Sequence, residues 1–98
     1  MLIPFTQYLL PNGRQRRVEW EATSHEQEIK ATALLDARAR FECEMLQTGD
    51  VSLTCEMLDN KGEIQTLAHE ICANNKEVVE AVARLVERAH EKLLENSQ

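Results

Sequence analysis

Four groups of side chains in this 98-residue chain could do chemistry: the thiols Cys43, Cys55 and Cys72; the imidazoles His25, His69 and His90; the carboxylates Glu42, Glu44 and Glu56; and the guanidiniums Arg14, Arg16 and Arg17. Thiolates with a histidine can hold zinc, and paired thiols can exchange with disulfides. Structural zinc draws its ligands from short loops such as Cys-x-x-Cys, where the chain turns about the ion. Here Cys43 and Cys55 fall within alternating apolar runs, on what should be a buried strand face. His69 and Cys72 stand three apart, so a regular strand points them to opposite faces. The cysteines therefore read as small hydrophobes of the core, and no metal or other cofactor is expected.

The histidines are scattered. His90-Glu91 lacks the second histidine of a His-Glu-x-x-His zinc motif. Ser24-His25 has no acidic third member, so a catalytic triad is not supported. Glu42, Glu44 and Glu56 project from the face opposite the cysteines, with Glu42 expected to face Glu56. Paired carboxylates do acid–base work when burial separates their pKa values; in the open they form a solvated face able to meet a basic partner. Like charges directly opposite destabilise a strand pair, so this arrangement calls for compensation. The arginines follow a tight turn and could grip phosphate, but three are few where affinity scales with the phosphates neutralised. Alternation also splits them between two faces. Each of the three glycines, Gly13, Gly49 and Gly62, sits in a turn signal. None remains for a phosphate-cradling loop or a dinucleotide fingerprint.

The elements that must position these residues follow from periodicity. Ile3 to Leu10 and Arg14 to Trp20 flank Pro11-Asn12-Gly13, and Asn-Gly favours a two-residue hairpin loop. In that register Phe5 faces Trp20, Ile3 faces Ala22, Gln7 faces Val18 and Leu9 faces Arg16. Pro4 lacks an amide donor and suits an edge. Thr23-Ser24-His25-Glu26 reads as a capping box for a helix from His25 to Arg40, with Ile29, Ala33, Leu34, Ala37 and Phe41 along its stripe. Phe41 to Gln47 and Val51 to Leu58 alternate cleanly around a loop at Thr48-Gly49-Asp50, pairing Met45 with Leu53, Cys43 with Cys55 and Phe41 with Met57. Glu63 to Cys72 is a fifth strand of poor period, consistent with a bulge or with cover on both sides. After a cap at Asn74 or Asn75, a helix from Lys76 to Glu95 buries Val78, Val82, Leu85 and Ala89, widened by Val79, Val86 and Leu93, with Glu80 and Arg84 as a surface pair. The order β-β-α-β-β-β-α predicts a single α+β domain over 1–98. Its expected form is a two-layer sandwich, a mostly antiparallel sheet with two helices on one face.

Composition bounds the rest. Hydrophobic residues make up 43% of the chain and aromatics 4%, so Leu, Val and Ile must build the core. No apolar run approaches a membrane span. The apolar opening, interrupted by Pro4, Thr6 and Gln7, lacks a basic flank and a cleavage site, so it is read as folded chain rather than a signal peptide. Three cysteines without framework spacing point to a reducing cytoplasm. The formal charge of −6 is uneven: the first twenty residues hold three arginines against one glutamate, and the rest hold eight basic and sixteen acidic side chains. An acidic body repels phosphate backbones.

The opening Ile3-Pro4-Phe5-Thr6-Gln7-Tyr8-Leu9-Leu10-Pro11-Asn12-Gly13-Arg14 resembles that of small uncharacterised bacterial or phage-associated proteins. The resemblance implies no activity and assigns no site residue. The residues themselves favour a non-catalytic module acting by contact with a protein partner, or with itself as a homodimer. Arg14, Arg16, Arg17, Tyr8, Glu42, Glu44 and Glu56 are its candidate contacts. Tyr8 is the one aromatic not assigned to packing. The alternatives are weak nucleic-acid binding through the basic hairpin and a small enzyme with a site between subunits.

Overall fold

The computed structural model describes residues 2–4, 8–9, 15–16, 19–73 and 77–96, with side chains from residue 20 onward. The elements are β1 (Leu2–Pro4), β2 (Tyr8–Leu9), β3 (Gln15–Arg16), β4 (Glu19–Glu21), α1 (His25–Asp36), β5 (Arg40–Met45), β6 (Val51–Leu58), β7 (Ile64–Cys72) and α2 (Val78–Asn96). This is a small α+β fold with a three-stranded antiparallel sheet, β5-β6-β7, and two helices.

Alternation makes the sheet two-faced. Phe41, Cys43, Val51, Leu53 and Cys55 are buried, whereas Glu42 and Glu44 are exposed. Both hairpins turn in the same way. The Gly49 amide donates to the Leu46 carbonyl at 2.9 Å and the Leu46 amide to the Asp50 carbonyl at 2.8 Å; the Gly62 and Asp59 amides repeat the pattern onto Asp59 and Glu63 at 3.0 and 2.8 Å. Gly49 and Gly62 close these three-residue loops at φ +90° and +79°, a left-handed conformation that glycine adopts at little cost. Asp59 braces the second loop, its carboxylate accepting from the amides of Lys61 and Glu63 at 2.8 and 2.9 Å.

The first loop is Gln47-Thr48-Gly49, one residue earlier than expected, and that moves the register by two. Phe41 faces Cys55, Cys43 faces Leu53 and Met45 faces Val51, replacing the expected partners. A shift of two leaves every side chain on its face, so the hydrophobic pattern cannot reveal it. In β7, Thr66 pairs with Glu56 and Ala68 with Cys55, leaving Leu67 as the extra residue of a bulge. Leu67 and Ala68 are therefore both buried, and this accounts for the poor period.

Ser24 caps α1, accepting from the Gln27 amide at 3.2 Å. The Gln27 side chain accepts in return from the Thr23 amide and hydroxyl at 2.9 and 3.0 Å. The capping arrangement thus lies one residue later than the Thr23–Glu26 reading. The helix stops at Asp36 rather than Arg40. The Ala39 amide reaches the Leu34 carbonyl at 3.0 Å and the Arg38 amide reaches Leu35 at 2.9 Å, with Arg38 at φ +64°. This is a Schellman cap, with buried Leu34 and Ala39 as its apolar pair. An arginine in the position glycine usually takes concealed it.

The face of α1 turned to α2 carries Ala31 and Leu34, both buried, and Lys30, whose ammonium reaches Glu26 at 3.2 Å and Glu87 of α2 at 3.4 Å. Ile29, expected on that stripe, lies on nearly the opposite side of the helix and is 55% exposed. In α2, Val78, Ala81, Val82, Leu85, Val86 and Ala89 are buried where the helix packs on β6, β7 and α1. Val79 is exposed instead. Arg84 and Arg88 both reach Glu70 of β7, at 3.5 and 3.3 Å, so Arg84 ties helix to sheet rather than pairing with Glu80.

Among the described residues the first hairpin shows two short ladders, β1 with β4 and β2 with β3. Ile3 pairs with Trp20, Tyr8 with Arg16 and Leu9 with Gln15, which corrects the expected Phe5–Trp20, Ile3–Ala22 and Leu9–Arg16 pairs. Trp20 is buried in the core. Phe5, Gln7, Val18, the Pro11-Asn12-Gly13 turn and the Asn74 or Asn75 cap lie outside the described residues.

The left-handed Arg38 carries a conformational cost that glycine avoids. Arg38→Gly is expected to stabilise the fold by about 0.5–1 kcal/mol, the relief of that cost less the greater chain entropy of glycine. A higher urea midpoint at unchanged slope is the expected reading; a lower midpoint would show that the arginine side chain contributes more than its backbone costs.

Candidate contact surface on the open sheet face

Strand alternation and the observed register arrange the uncovered face of β5-β6-β7 in rows. Glu44, Ser52 and Ile71 form one, Glu42, Thr54 and His69 the next, then Arg40, Glu56 and Thr66, and finally Leu58 with Ile64. Ile64 and Ile71 are 60% and 53% exposed, and Leu58 is as open.

The expected opposition of Glu42 and Glu56 is absent. Glu56 faces Arg40, whose Nη2 lies 3.3 Å from Glu56 Oε1, and Glu42 faces Thr54. The two-residue register difference thus turns a repulsive cross-strand pair into an attractive one, contributing ~0.2–1 kcal/mol. Glu42 and Glu44 remain exposed, two residues apart on β5, with Ser52 and Thr54 as their neighbours. They form an acidic margin, not an acid–base pair.

Ser52 Oγ and His69 Nε2 lie 2.8 Å apart, the separation of a nucleophile and its base. The rest of such a site is missing among the described residues. No group there bonds the other ring nitrogen, and Glu42 lies two strand spacings from His69, roughly 10 Å away. Ser52 stands on the central strand, which is paired on both sides by β5 and β7, so its own backbone offers no oxyanion hole. What the contact does is hold the imidazole in one orientation. Sequence reading missed this pair, because it weighed His69 as a zinc ligand and Ser24-His25 as the serine–histidine neighbours. Only the β6–β7 register brings Ser52 and His69 together.

Cys43, Cys55 and Cys72 are buried and not joined in disulfides, on the opposite side of the sheet from His69. Burial pushes Cys43 and Cys55 up to about 12, with smaller contributions from Cys72 beside Cys43 and Glu56 beside Cys55. Such thiols are poor nucleophiles and poor metal ligands. Among the described residues, no group of three His, Cys, Asp or Glu side chains could hold a metal ion.

Hollows lie elsewhere. One of about 330 Å³ runs between the β6–β7 tip and the end of α2, lined by residues including Asp59, Gln65 and Asn96. Another of about 400 Å³ lies against the outer side of α1 around Ile29, with His25 at one end and Asp36 at the other. Neither joins a nucleophile to a base. Arg14 and Arg17, and the side chains of Tyr8 and Arg16, lie outside the described residues. No helix among the described residues is long and apolar enough to cross a membrane. No family model, no curated protein and no solved structure matches the chain.

The thiol environment has a measurable consequence. Cys43 and Cys55 should resist a thiol reagent in the folded protein and react fully in denaturant. Their folded values lie above the ordinary value of 9.0, so the unfolded chain ionises first as pH rises. Stability is therefore complete below about pH 9 and falls between 9 and 12. Urea titrations across that range test the sign, and a rise in stability would contradict it.

Proposed function

We propose that this protein is a non-catalytic protein-interaction module of the cytoplasm, engaging its partner through the open face of the sheet. In this reading the fold is a two-layer sandwich, with both helices on one sheet face and the other face left for a partner. The supporting observation is that face itself. Ile71 stays exposed on it in the row of Glu44, and Leu58 and Ile64 stay exposed in the row at its other end. A sheet face that leaves three large apolar side chains open at its two ends, with polar groups between them, favours a contact role for that face. The β7 edge is a poorer candidate, because a bulge in mid-strand interrupts the row of groups that another strand would need. The reducing compartment is supported by three buried cysteines that form no disulfide.

Nucleic-acid binding through Arg14, Arg16 and Arg17 is the second reading. The acidic balance of the remaining chain weighs against it.

The test is a pulldown with tagged wild type, Ile71→Asp, the Glu42→Lys/Glu44→Lys double variant, and Ile29→Asp as a control on α1. The face variants are expected to lose proteins that the wild type and the control retain. Equal retention by all four would remove the open face from consideration, and loss only in an Arg14→Ala/Arg16→Ala/Arg17→Ala variant would move the contact to the hairpin.

A further inference from the structure

The last row of the open face is incomplete. Each other row holds one residue from β5, one from β6 and one from β7, but Leu58 and Ile64 stand without a third member. We infer that this vacancy takes the carboxyl terminus of a peptide ending in an aliphatic residue, added as a short strand beside β6. The inference rests on the reading of the open face as a contact surface and names the class of partner at one end of it.

The vacancy follows from the way α1 ends. β5 begins at Arg40, opposite Glu56, so β6 runs two residues beyond it to Leu58. Continued, β5 would set residue 38 opposite Leu58. Arg38 instead takes φ +64° and gives its amide to the Leu35 carbonyl at 2.9 Å, which turns the chain away. On the other side of β6, the Asp59 amide donates to the Glu63 carbonyl at 2.8 Å. Backbone groups alternate in direction along a strand, so those of Leu58 point toward the vacancy, where no described backbone group meets them. A cavity of about 180 Å³ lies there, lined by Arg38, Arg40, Glu56, Met57, Leu58 and Ile64. Whole small molecules take pockets of ~300–1,000 Å³, so this space suits a single end group.

Charge decides which end. Arg40 engages Glu56 at 3.3 Å, whereas Arg38 is exposed and makes no ion pair among the described residues, so the cavity is net positive. A strand added antiparallel to β6 runs in the direction of β5 and must stop where β5 begins, between the two guanidiniums. Its last group is then a carboxylate. A parallel strand would bring an ammonium to the same place, and like charge disfavours it. Residues paired across a ladder share a face, so the terminal side chain joins Leu58 and Ile64, each 60% exposed. Strand addition of this kind draws affinity from main-chain hydrogen bonds and specificity from the side-chain pocket. It also gives the left-handed Arg38 a use, since the guanidinium is what glycine at that position would lack.

Amide chemical-shift titration of the isotope-labelled protein tests this, with an acetylated pentapeptide ending in leucine added to ~1 mM, a range suited to a weak site. Parallel titrations use the same peptide as its carboxyl-terminal amide, octanoate, and the Arg38→Gly and Leu58→Asp variants. The free-acid peptide is expected to give saturable shifts centred on Leu58, Ile64 and Arg40. The amide and each variant are expected to bind roughly tenfold more weakly. Arg38→Gly is expected to fold at least as stably as wild type, so its loss reads the guanidinium, and the amide peptide reads the carboxylate without any change to the protein. No saturable shift, equal binding of acid and amide, or octanoate binding as tightly as the peptide would each overturn the inference. A null titration beside a pulldown that still responds to Ile71→Asp removes the peptide terminus and keeps the face as a contact surface. A positive titration beside an unresponsive pulldown supports the inference and confines the contact to this end of the face. If neither experiment responds, both readings fall.

Discussion

The burial of β6 against α2 is the contact on which the rest of the molecule depends. Val51, Leu53 and Cys55 are fully buried on the strand, and Ala81, Val82, Leu85 and Ala89 are fully buried on the helix. Because β6 is the central strand, its buried face orients both hairpins, and those hairpins carry every polar group of the opposite face. α1 is held to this unit through α2, by Ala31, Leu34 and the Lys30–Glu87 contact. α2 thus covers the buried side of the sheet, while the other side presents glutamates, hydroxyls, an imidazole and isoleucines to solvent.

Much of this was legible because two signals are robust to error. Side-chain alternation assigned faces correctly in β5 and β6, and a 3.6-residue stripe located α2 and five of its six buried residues. What alternation cannot carry is register modulo two. The Gln47-Thr48-Gly49 loop sits one residue from the expected place, and every cross-strand partner of β5 changed with it while no face did. The α1 stop was hidden for a different reason. Its left-handed position holds Arg38, and the hydrogen bonds that define the cap involve only backbone groups. Ile29 was misplaced because α1 buries a narrow face, toward one neighbouring helix, and an isolated isoleucine does not identify it.

The surface chemistry shows the same division. Exposure of Glu42 and Glu44 followed from the pattern, whereas the partners of Glu56, Arg84 and His69 did not, since each partner comes from another element. Arg40 neutralises Glu56, Arg84 and Arg88 converge on Glu70, and Ser52 orients His69. Each contact is made by a residue that is individually unremarkable in sequence. Together they leave the open face with an acidic strand, a hydroxyl-lined middle and a mixed imidazole–apolar strand, a gradient of character running across the strands rather than along them.

Leu67 has an effect out of proportion to its size. As the extra residue of the bulge, it divides β7 into two segments read in opposite phase: even-numbered residues look outward before it, at Ile64 and Thr66, and odd-numbered ones after it, at His69 and Ile71. In an uninterrupted strand of the same sequence, His69 and Ile71 would point into the helical layer, and Glu70 would stand on the open side without its two arginines. One supernumerary leucine thus acts as a parity switch, determining which half of the strand's chemistry belongs to the core and which to the outside world.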